Sequence, residues 1–211
     1  MAAGGNHETG ETRRRPYHHG DLRAELLDVV RELIEEHGPD GFSVAEAARK
    51  AGVSTGAPYR HFRDRAELLE AVVMDALDRL RASMKAGRDR YPEASLEAIC
   101  GTGMGYIEFA RAEPGIFRVM FSLTEGHEDN PKIRSKGEET FAVVVEAAAR
   151  YLRMDPSDMF VRHRAYMLWT FVHGHSFLMI DKKTVATEKS PPEWDFLMDA
   201  ARGVLDGPRP S

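Results

Sequence analysis

The sequence predicts an all-α protein with about nine helices. Apolar residues recur at helical spacing through most of the 211 residues, and runs of β-branched residues are few. Gly or Pro follows several of these periodic segments, as expected at helix ends. Hydrophobic residues make up 42 % of the chain, which is enough to bury a substantial core.

Composition narrows the protein class. The chain has one cysteine, Cys100, which excludes an intramolecular disulfide and a cysteine-based zinc site and favours a reducing compartment. Apolar runs stay well short of a membrane-spanning length, and residues 1–15 lack the apolar core of a signal peptide. We therefore expect a cytoplasmic protein without a membrane partner.

The first predicted helix runs from about Asp21 to His37, because six apolar residues recur there at helical spacing before Gly38-Pro39. The next stretch, residues 43–62, predicts two short helices joined by a turn. Ser43 and the glutamate three residues later form a capping box at its start, and a glycine turn separates the two helices.

The second of these helices is predicted from a cap at Ser54 or Thr55 through to Phe62. Helix, glycine turn and helix form a helix-turn-helix, a motif that places its second helix in the DNA major groove. Five basic residues and one acid lie between Arg49 and Arg65, and a basic arm precedes them at Arg13–Arg15. Because the whole chain carries net charge -5, basic residues suited to phosphate contacts are confined to this region.

Residues 17–74 resemble the DNA-binding domain of the tetracycline-repressor (TetR) family. The resemblance rests on the sequence GPDGFSVAEAARKAGVS, the ending Tyr59-Arg60-His61-Phe62 and the following D-R-x-x-L-L. Pro58 departs from the family pattern, although it falls in the first turn of the predicted helix, where a missing N–H costs least.

The resemblance implies which residues contact DNA. Arg60 is expected to read a base, because a guanidinium can bond guanine O6 and N7 together. Tyr59 and His61 resemble phosphate-contacting positions, with a packed aromatic as the alternative for Tyr59. Lys50 is equally compatible with a phosphate contact or a solvated surface. The other residues expected at the DNA are Ser43, Ser54, Thr55, Gly56, Ala57 and Arg65.

The predicted domains are a disordered basic arm (1–16), a helix-turn-helix domain (17–66) and an effector-binding and dimerisation domain (67–211). A connecting helix is expected from about Asp64 to Ala86, with Gly87–Pro92 as the connection to the body. In the body, Trp169-x-x-x-His173-Gly174 resembles the signature of the Trp-His-Gly subgroup of the family.

Family resemblance also implies a homodimer formed by the last two helices. The residues expected at that interface are Trp169, Phe177, Trp194, Leu197 and Leu205. A small-molecule effector would occupy an apolar pocket with a few polar groups. The candidates for its lining are Tyr106, Phe109, Phe117, Met120, Phe121, Met167, Phe171 and His173. Aromatic and Met stripes at helical spacing, however, usually belong to an ordinary core.

The predicted function is a ligand-responsive regulator, most simply a repressor that binds a pseudo-palindromic operator as a homodimer and is released by an apolar effector. A regulator controlled by a protein partner is the alternative, since it needs no cavity. Enzymatic and metal-binding functions are disfavoured: catalytic motifs are lacking, and His173 and His175 point in different directions on a helix. No cofactor is expected.

Overall fold

The structure is a computed structural model that describes residues 22–38, 40–122, 130–183 and 192–208. Within these ranges all regular structure is helical, which confirms the all-α prediction. The predicted basic arm and the acidic stretch 124–129 lie outside the described residues. The described helices are α1 (Leu22–His37), α2 (Val44–Lys50), the 3-10 helix η1 (Pro58–Arg60), α3 (Arg65–Arg88), α4 (Leu96–Ala112), α5 (Pro114–Ser122), α6 (Pro131–Leu152), α7 (Met159–Ile180) and α8 (Glu193–Leu205).

Helices α1 and α2 form as the sequence predicts. Gly38 follows α1 with φ +79°, a conformation that suits glycine. The side chain of Ser43 accepts a hydrogen bond from the Glu46 N–H at 3.1 Å and so caps α2. The turn after α2 places Gly52 at φ +73°. The cap at Ser43 and the glycine turn at Gly52 set the direction in which the chain enters residues 54–62.

The predicted helix over residues 54–62 is instead a short tight turn, and only Pro58–Arg60 is helical, as the 3-10 helix η1. Proline has no N–H, so it cannot donate to the Ser54 carbonyl in an α-helical bond. The Ala57 N–H donates to that carbonyl at 2.9 Å, which tightens the chain to a three-residue repeat. No side chain caps η1, so the predicted Ser54 or Thr55 cap is wrong.

Helix α3 runs unbroken from the head into the body. The Asp64 side chain caps it by accepting from the Glu67 N–H at 2.8 Å. The sequence predicts its end at Ala86, but the helix continues to Arg88 and Gly87 is buried in it. The predicted connection therefore starts too early, because Gly87 serves a helix crossing rather than a loop.

At that crossing α3 and α4 touch backbone to backbone. A Cβ added to Gly87 would overlap the Gly101 carbonyl, and one added to Gly101 would overlap the Gly87 carbonyl. One turn further along α4, a Cβ on Gly105 would overlap the Ser83 carbonyl. The Ser83 hydroxyl also donates to the Gly105 carbonyl at 2.8 Å. The α4 glycines at 101 and 105 thus permit close packing and do not leave space for a ligand.

Helix α4 is the centre of the body and packs against α3, α6, α7 and α8, while α5 lies between α1, α3 and α4. One apolar cluster extends from the head along α3 to Tyr106 and Phe117, and a second joins α4, α6, α7 and α8. No helix in the described ranges is long and apolar enough to cross a membrane.

Candidate DNA-binding turn and ligand cavity

Residues 54–62, here called the recognition turn, expose a set of small and polar side chains. Tyr59 is 58 % exposed, and Arg60 and His61 are also exposed. Pro58 is buried and Phe62 is 4 % exposed, so these two side chains anchor the turn to the head. The small residues Ser54, Thr55 and Gly56 are exposed and Ala57 is half-buried. The turn thus exposes polar groups while its apolar side chains pack against the head.

This geometry suits contact with a nucleic acid. In the described part of the chain, the Arg60 guanidinium makes no hydrogen bond or ion pair, so its donors are available to a guanine edge or a phosphate. Tyr59 is not packed against another ring there, contrary to the alternative of a packed aromatic. Tyr59 and His61 flank Arg60 and can donate to phosphate oxygens.

Two of the basic residues expected at the DNA are engaged within the protein. The Lys50 ammonium lies 3.1 Å from Glu36 and 3.4 Å from Glu32. Slight burial alone would lower the pKa of Lys50, but hydrogen bonds and charge from both glutamates outweigh it and raise that pKa. The Arg65 guanidinium lies over the Phe42 ring at 4.4 Å and donates to the Phe42 carbonyl at 3.3 Å. Both side chains therefore brace the head.

The body contains two neighbouring apolar cavities. The larger, about 310 Å³, opens between α3, α6 and α7. It is lined by Leu77, Leu80, Met84, Tyr106, Phe121, Gly137, Glu138, Thr140, Phe141, Tyr166 and Trp169. The smaller, about 30 Å³, lies between α4, α7 and α8 and is lined in part by Cys100, Gly103, Phe171 and Leu197. Met84, Tyr106 and Trp169 line both cavities and form the wall between them.

Three of the eight predicted ligand residues line these cavities. Tyr106 borders both, Phe121 the larger and Phe171 the smaller. The other five line neither cavity: Phe109, Phe117, Met120, Met167 and His173. Sequence reasoning missed Phe141 and Tyr166, and it assigned Trp169 to the dimer interface. Helical spacing shows that such residues are apolar and periodic, but it does not tell which helix lies opposite.

His173 lies behind the cavity wall. The Tyr106 hydroxyl and His173 Nδ1 are 2.8 Å apart, and the Trp169 and His173 rings are 5.1 Å apart. Burial lowers the pKa of His173 and raises the pKa of Tyr106, so both groups favour their neutral forms. His175 faces the other way and contacts a Glu193 carboxylate oxygen at 3.1 Å. The two histidines thus do not converge.

Burial raises the pKa of Cys100 to about 12. A thiol with that pKa stays protonated near neutral pH and is a poor nucleophile. Among the residues that the structure describes, no group of three His, Cys, Asp or Glu side chains could hold a metal ion.

The residues predicted for dimerisation are used within the protomer. Leu197 and Leu205 are each 3 % exposed, Trp194 stacks on Tyr91 at 5.1 Å, and Phe177 packs on Phe117. Trp169 borders the cavities. On the outer face of the same helices, the exposed large apolar side chains are Met159, Tyr166, Met167, Leu178 and Phe196. The sequence prediction places Met167 in the ligand site and does not single out Met159, Tyr166 or Leu178, because amphipathic spacing alone does not separate an inner from an outer apolar face.

One carboxylate joins the head to the body. Glu35 of α1 accepts hydrogen bonds from the Gly115 N–H at 2.9 Å and the Ile116 N–H at 2.8 Å. These amides belong to the first turn of α5, whose own carbonyls cannot satisfy them. A Cβ added to Gly115 would lie 2.9 Å from the Ile34 carbonyl oxygen, so the approach requires glycine.

Two family models match the two parts of the chain. Residues 26–72 match the model described as "Bacterial regulatory proteins, tetR family", and residues 99–201 match "Tetracyclin repressor-like, C-terminal domain". The chain belongs to the TetR family of regulatory proteins. The recognition turn lies inside the first match and the cavity wall residues Tyr106 and Trp169 inside the second.

Relatives of this TetR-family chain are also regulators. The HTH-type transcriptional regulator BetI of Escherichia coli is 39 % identical over 75 residues. The matching region is 36 % of this chain and only 38 % of BetI. The match therefore does not extend over most of BetI. Both the family descriptions and this relative point away from an enzyme.

Solved structures share the whole architecture. A protein of unknown function from Rhodococcus sp. RHA1 is 25 % identical with a TM-score of 0.75, covering 92 % of this chain and 98 % of that one. A TetR-family regulator from Marinobacter aquaeolei VT8 is 18 % identical with a TM-score of 0.62, over 87 % and 93 %. FadR from Bacillus subtilis, solved with stearoyl-CoA, is 16 % identical with a TM-score of 0.63, over 87 % and 95 %. At 18 % and 16 % identity the likeness is one of fold.

Proposed function

We propose that this protein is a ligand-responsive transcriptional regulator, a repressor that binds a pseudo-palindromic operator as a homodimer and is released by a small, largely apolar effector. The observation that carries the proposal is the recognition turn, whose exposed Tyr59, Arg60 and His61 stand on the buried Pro58 and Phe62. Residues 17–66 would form the DNA-binding unit, and residues 67–211 the effector-binding and dimerisation unit.

The outer face of α7 and α8 supports a dimer. It exposes Met167, Leu178 and Phe196 on two adjacent helices, and apolar patches of this kind are typical of interfaces between protein chains. A two-fold axis there would pair two recognition turns. For simple helix-turn-helix dimers the half-sites are about 34–36 Å apart, which matches a pseudo-palindromic operator.

Helix α5 supports a route from the cavity to the head. Phe121 lines the larger cavity, and Phe117, one turn earlier, packs edge-on against Tyr106 at 5.6 Å. At its other end α5 is held by Glu35 of α1. A ligand that displaces Phe121 would therefore shift α5 relative to the head. By linkage, the operator must weaken effector binding by the same factor by which the effector weakens operator binding.

We also propose that the body belongs with the Trp-His-Gly subgroup of the family. The tilted contact between the Trp169 and His173 rings and the His173–Tyr106 hydrogen bond support this, because the three residues form one unit at the cavity wall. In this proposal the Trp and His of the signature position the wall and do not themselves form the dimer interface.

Selection from a randomised duplex pool tests the function directly. Purified protein is expected to enrich a palindromic site at near-physiological salt, with an affinity that falls steeply as salt rises. Weak binding that ignores sequence, before and after refolding to strip any ligand, would reject an operator-binding regulator. A palindromic operator whose binding responds only to a protein partner would favour the alternative without an effector.

A further inference from the structure

The larger cavity has an unusual combination of side chains. Five aromatic rings line it: Tyr106, Phe121, Phe141, Tyr166 and Trp169. The Phe141 and Tyr166 rings lie 6.2 Å and 5.7 Å from the Trp169 ring, so these three rings cluster at one side of the cavity. Tyr166 is 55 % exposed and marks the mouth of the cavity.

Among the described residues that line this cavity, the one charged side chain is a carboxylate. Glu138 is exposed at the mouth, and the lining includes no Lys, Arg or His. Two nearby bases are paired with other acids: the Lys136 ammonium lies 2.6 Å from Asp78, and Arg81 is paired with Asp78 and Glu139. Arg134, one turn before Glu138 on α6, is exposed and does not line the cavity. Glu138 makes no ion pair within the described residues. Its charge is therefore available to a ligand.

We propose that this cavity binds a small lipophilic cation, such as an aromatic or alkyl ammonium. The proposal rests on the proposed function, because the same cavity is the effector site. Aromatic faces attract a cation through their quadrupoles, and the attraction increases when the cation is desolvated. Glu138 supplies the opposite charge at the mouth, while an anion would meet both a carboxylate and the negative faces of the rings.

Three probes of nearly the same shape test the ligand class. Phenyltrimethylammonium, tert-butylbenzene and benzenesulfonate each carry one phenyl ring and a tetrahedral head, with charges of +1, 0 and -1. Each fits within the 310 Å³ cavity, and ligand-observed NMR with the full chain gives their dissociation constants. We expect the cation to bind about fivefold or more tightly than the neutral probe, and the anion most weakly.

Two variants and a control locate the binding. Glu138→Gln keeps the side-chain size. We expect it to lower the affinity for the cation about fivefold while changing the affinity for the neutral probe less than about twofold. Tyr166→Leu, at the exposed rim, should lower the affinity for the cation more than the affinity for the neutral probe. Glu97→Gln removes the same charge from exposed α4 surface away from the cavity and should change neither. Circular dichroism of each variant checks the fold.

Every outcome decides the ligand class. A neutral or anionic probe that binds as tightly as the cation, or a Glu138→Gln variant with unchanged cation affinity, overturns the proposal. The operator recovered by duplex selection separates the two claims. If the operator is recovered but no cation binds, the regulator stands and the ligand class is wrong. If the cation binds through Glu138 but no operator is recovered, the site stands and the proposed function is wrong.

Discussion

The recognition turn presents exposed side chains, whereas the α3–α4 crossing depends on the absence of side chains. Tyr59, Arg60 and His61 project from a base anchored by Pro58, and nothing else in the described head constrains their tips. Gly87 and Gly101 instead bring two helix backbones into contact. Changes in the turn should therefore alter binding without altering the fold, and changes at the crossing should do the reverse.

Gly101→Ala is expected to have the largest effect, because its Cβ would overlap the Gly87 carbonyl, a backbone atom that cannot move alone. The two helices must separate, and we expect the free energy of unfolding to fall by about 2–3 kcal/mol. Urea unfolding followed by circular dichroism, at one fixed protein concentration, measures it.

Gly137→Ala is the matched control for that change. A Cβ at Gly137 meets nothing within 4 Å, so only the helix preference of alanine acts, and stability should rise by up to about 1 kcal/mol. Equal effects of the two substitutions would show that helix preference, not the crossing, sets the stability of this region.

Arg60→Ala should leave stability unchanged and weaken operator binding. If Arg60 bonds one guanine bidentately, its loss costs about 1–3 kcal/mol and relaxes selectivity at a single base pair. Operator affinities measured across all single-base variants check this. Arg134→Ala, which removes an exposed arginine from α6, is the control. A uniform loss over every sequence would assign Arg60 to phosphate contact instead.

Glu35→Gln tests the contact that links the two regions. The carboxylate accepts from two α5 amides, and a neutral amide can satisfy only one of them, so we expect a loss of about 1 kcal/mol in stability. Amide hydrogen exchange should accelerate at Gly115 and Ile116. Glu36→Gln, whose partner is Lys50 of α2, should leave those two amides unchanged. Unchanged exchange in both variants would mean that Glu35 does not hold α5.

The same contrast explains what the sequence could predict. The Ser43 cap and the glycine after α2 act on their own neighbours, so helices α1 and α2 were predictable. The sequence shows that Pro58 lacks an N–H. Whether this shortens the helix depends on whether the Ala57 N–H donates to the Ser54 carbonyl instead, which the sequence does not reveal. The low helix preference of glycine led to the prediction that α3 ends before Gly87. In the sequence, a glycine that permits a helix crossing looks the same as one that ends a helix.

Side chains of the body were harder to assign for a related reason. Phe117 and Phe121 are four residues apart on one helix face, yet only Phe121 lines a cavity. Phe196 is 37 % exposed and its neighbour Leu197 only 3 %, although both are large and apolar. Which of two such residues faces a cavity, a core or a partner depends on the helix opposite, and that information comes from tertiary packing alone.

The smallest expected effect is a pH dependence that arises at His173. Burial lowers the pKa of His173 below its ordinary value, so the unfolded chain takes up a proton at a higher pH than the folded protein does. The fold therefore loses no stability through His173 above about pH 6.5, and its stability declines as the pH falls from there towards the lowered folded-state pKa. Carboxylates with lowered pKa values, such as Asp181, lose their contribution at more acidic pH.

Thermal unfolding of the wild type and of His173→Gln between pH 7.5 and about pH 5.5 isolates this group. The other histidines are the same in both proteins, so their effects cancel in the difference. Glutamine can still hydrogen-bond the Tyr106 hydroxyl but takes up no proton, and we expect the variant to lose less stability as the pH falls. Parallel curves would mean that the imidazole is protonated in place, with the Tyr106 oxygen accepting from Nδ1–H, and that the cavity wall tolerates a charge.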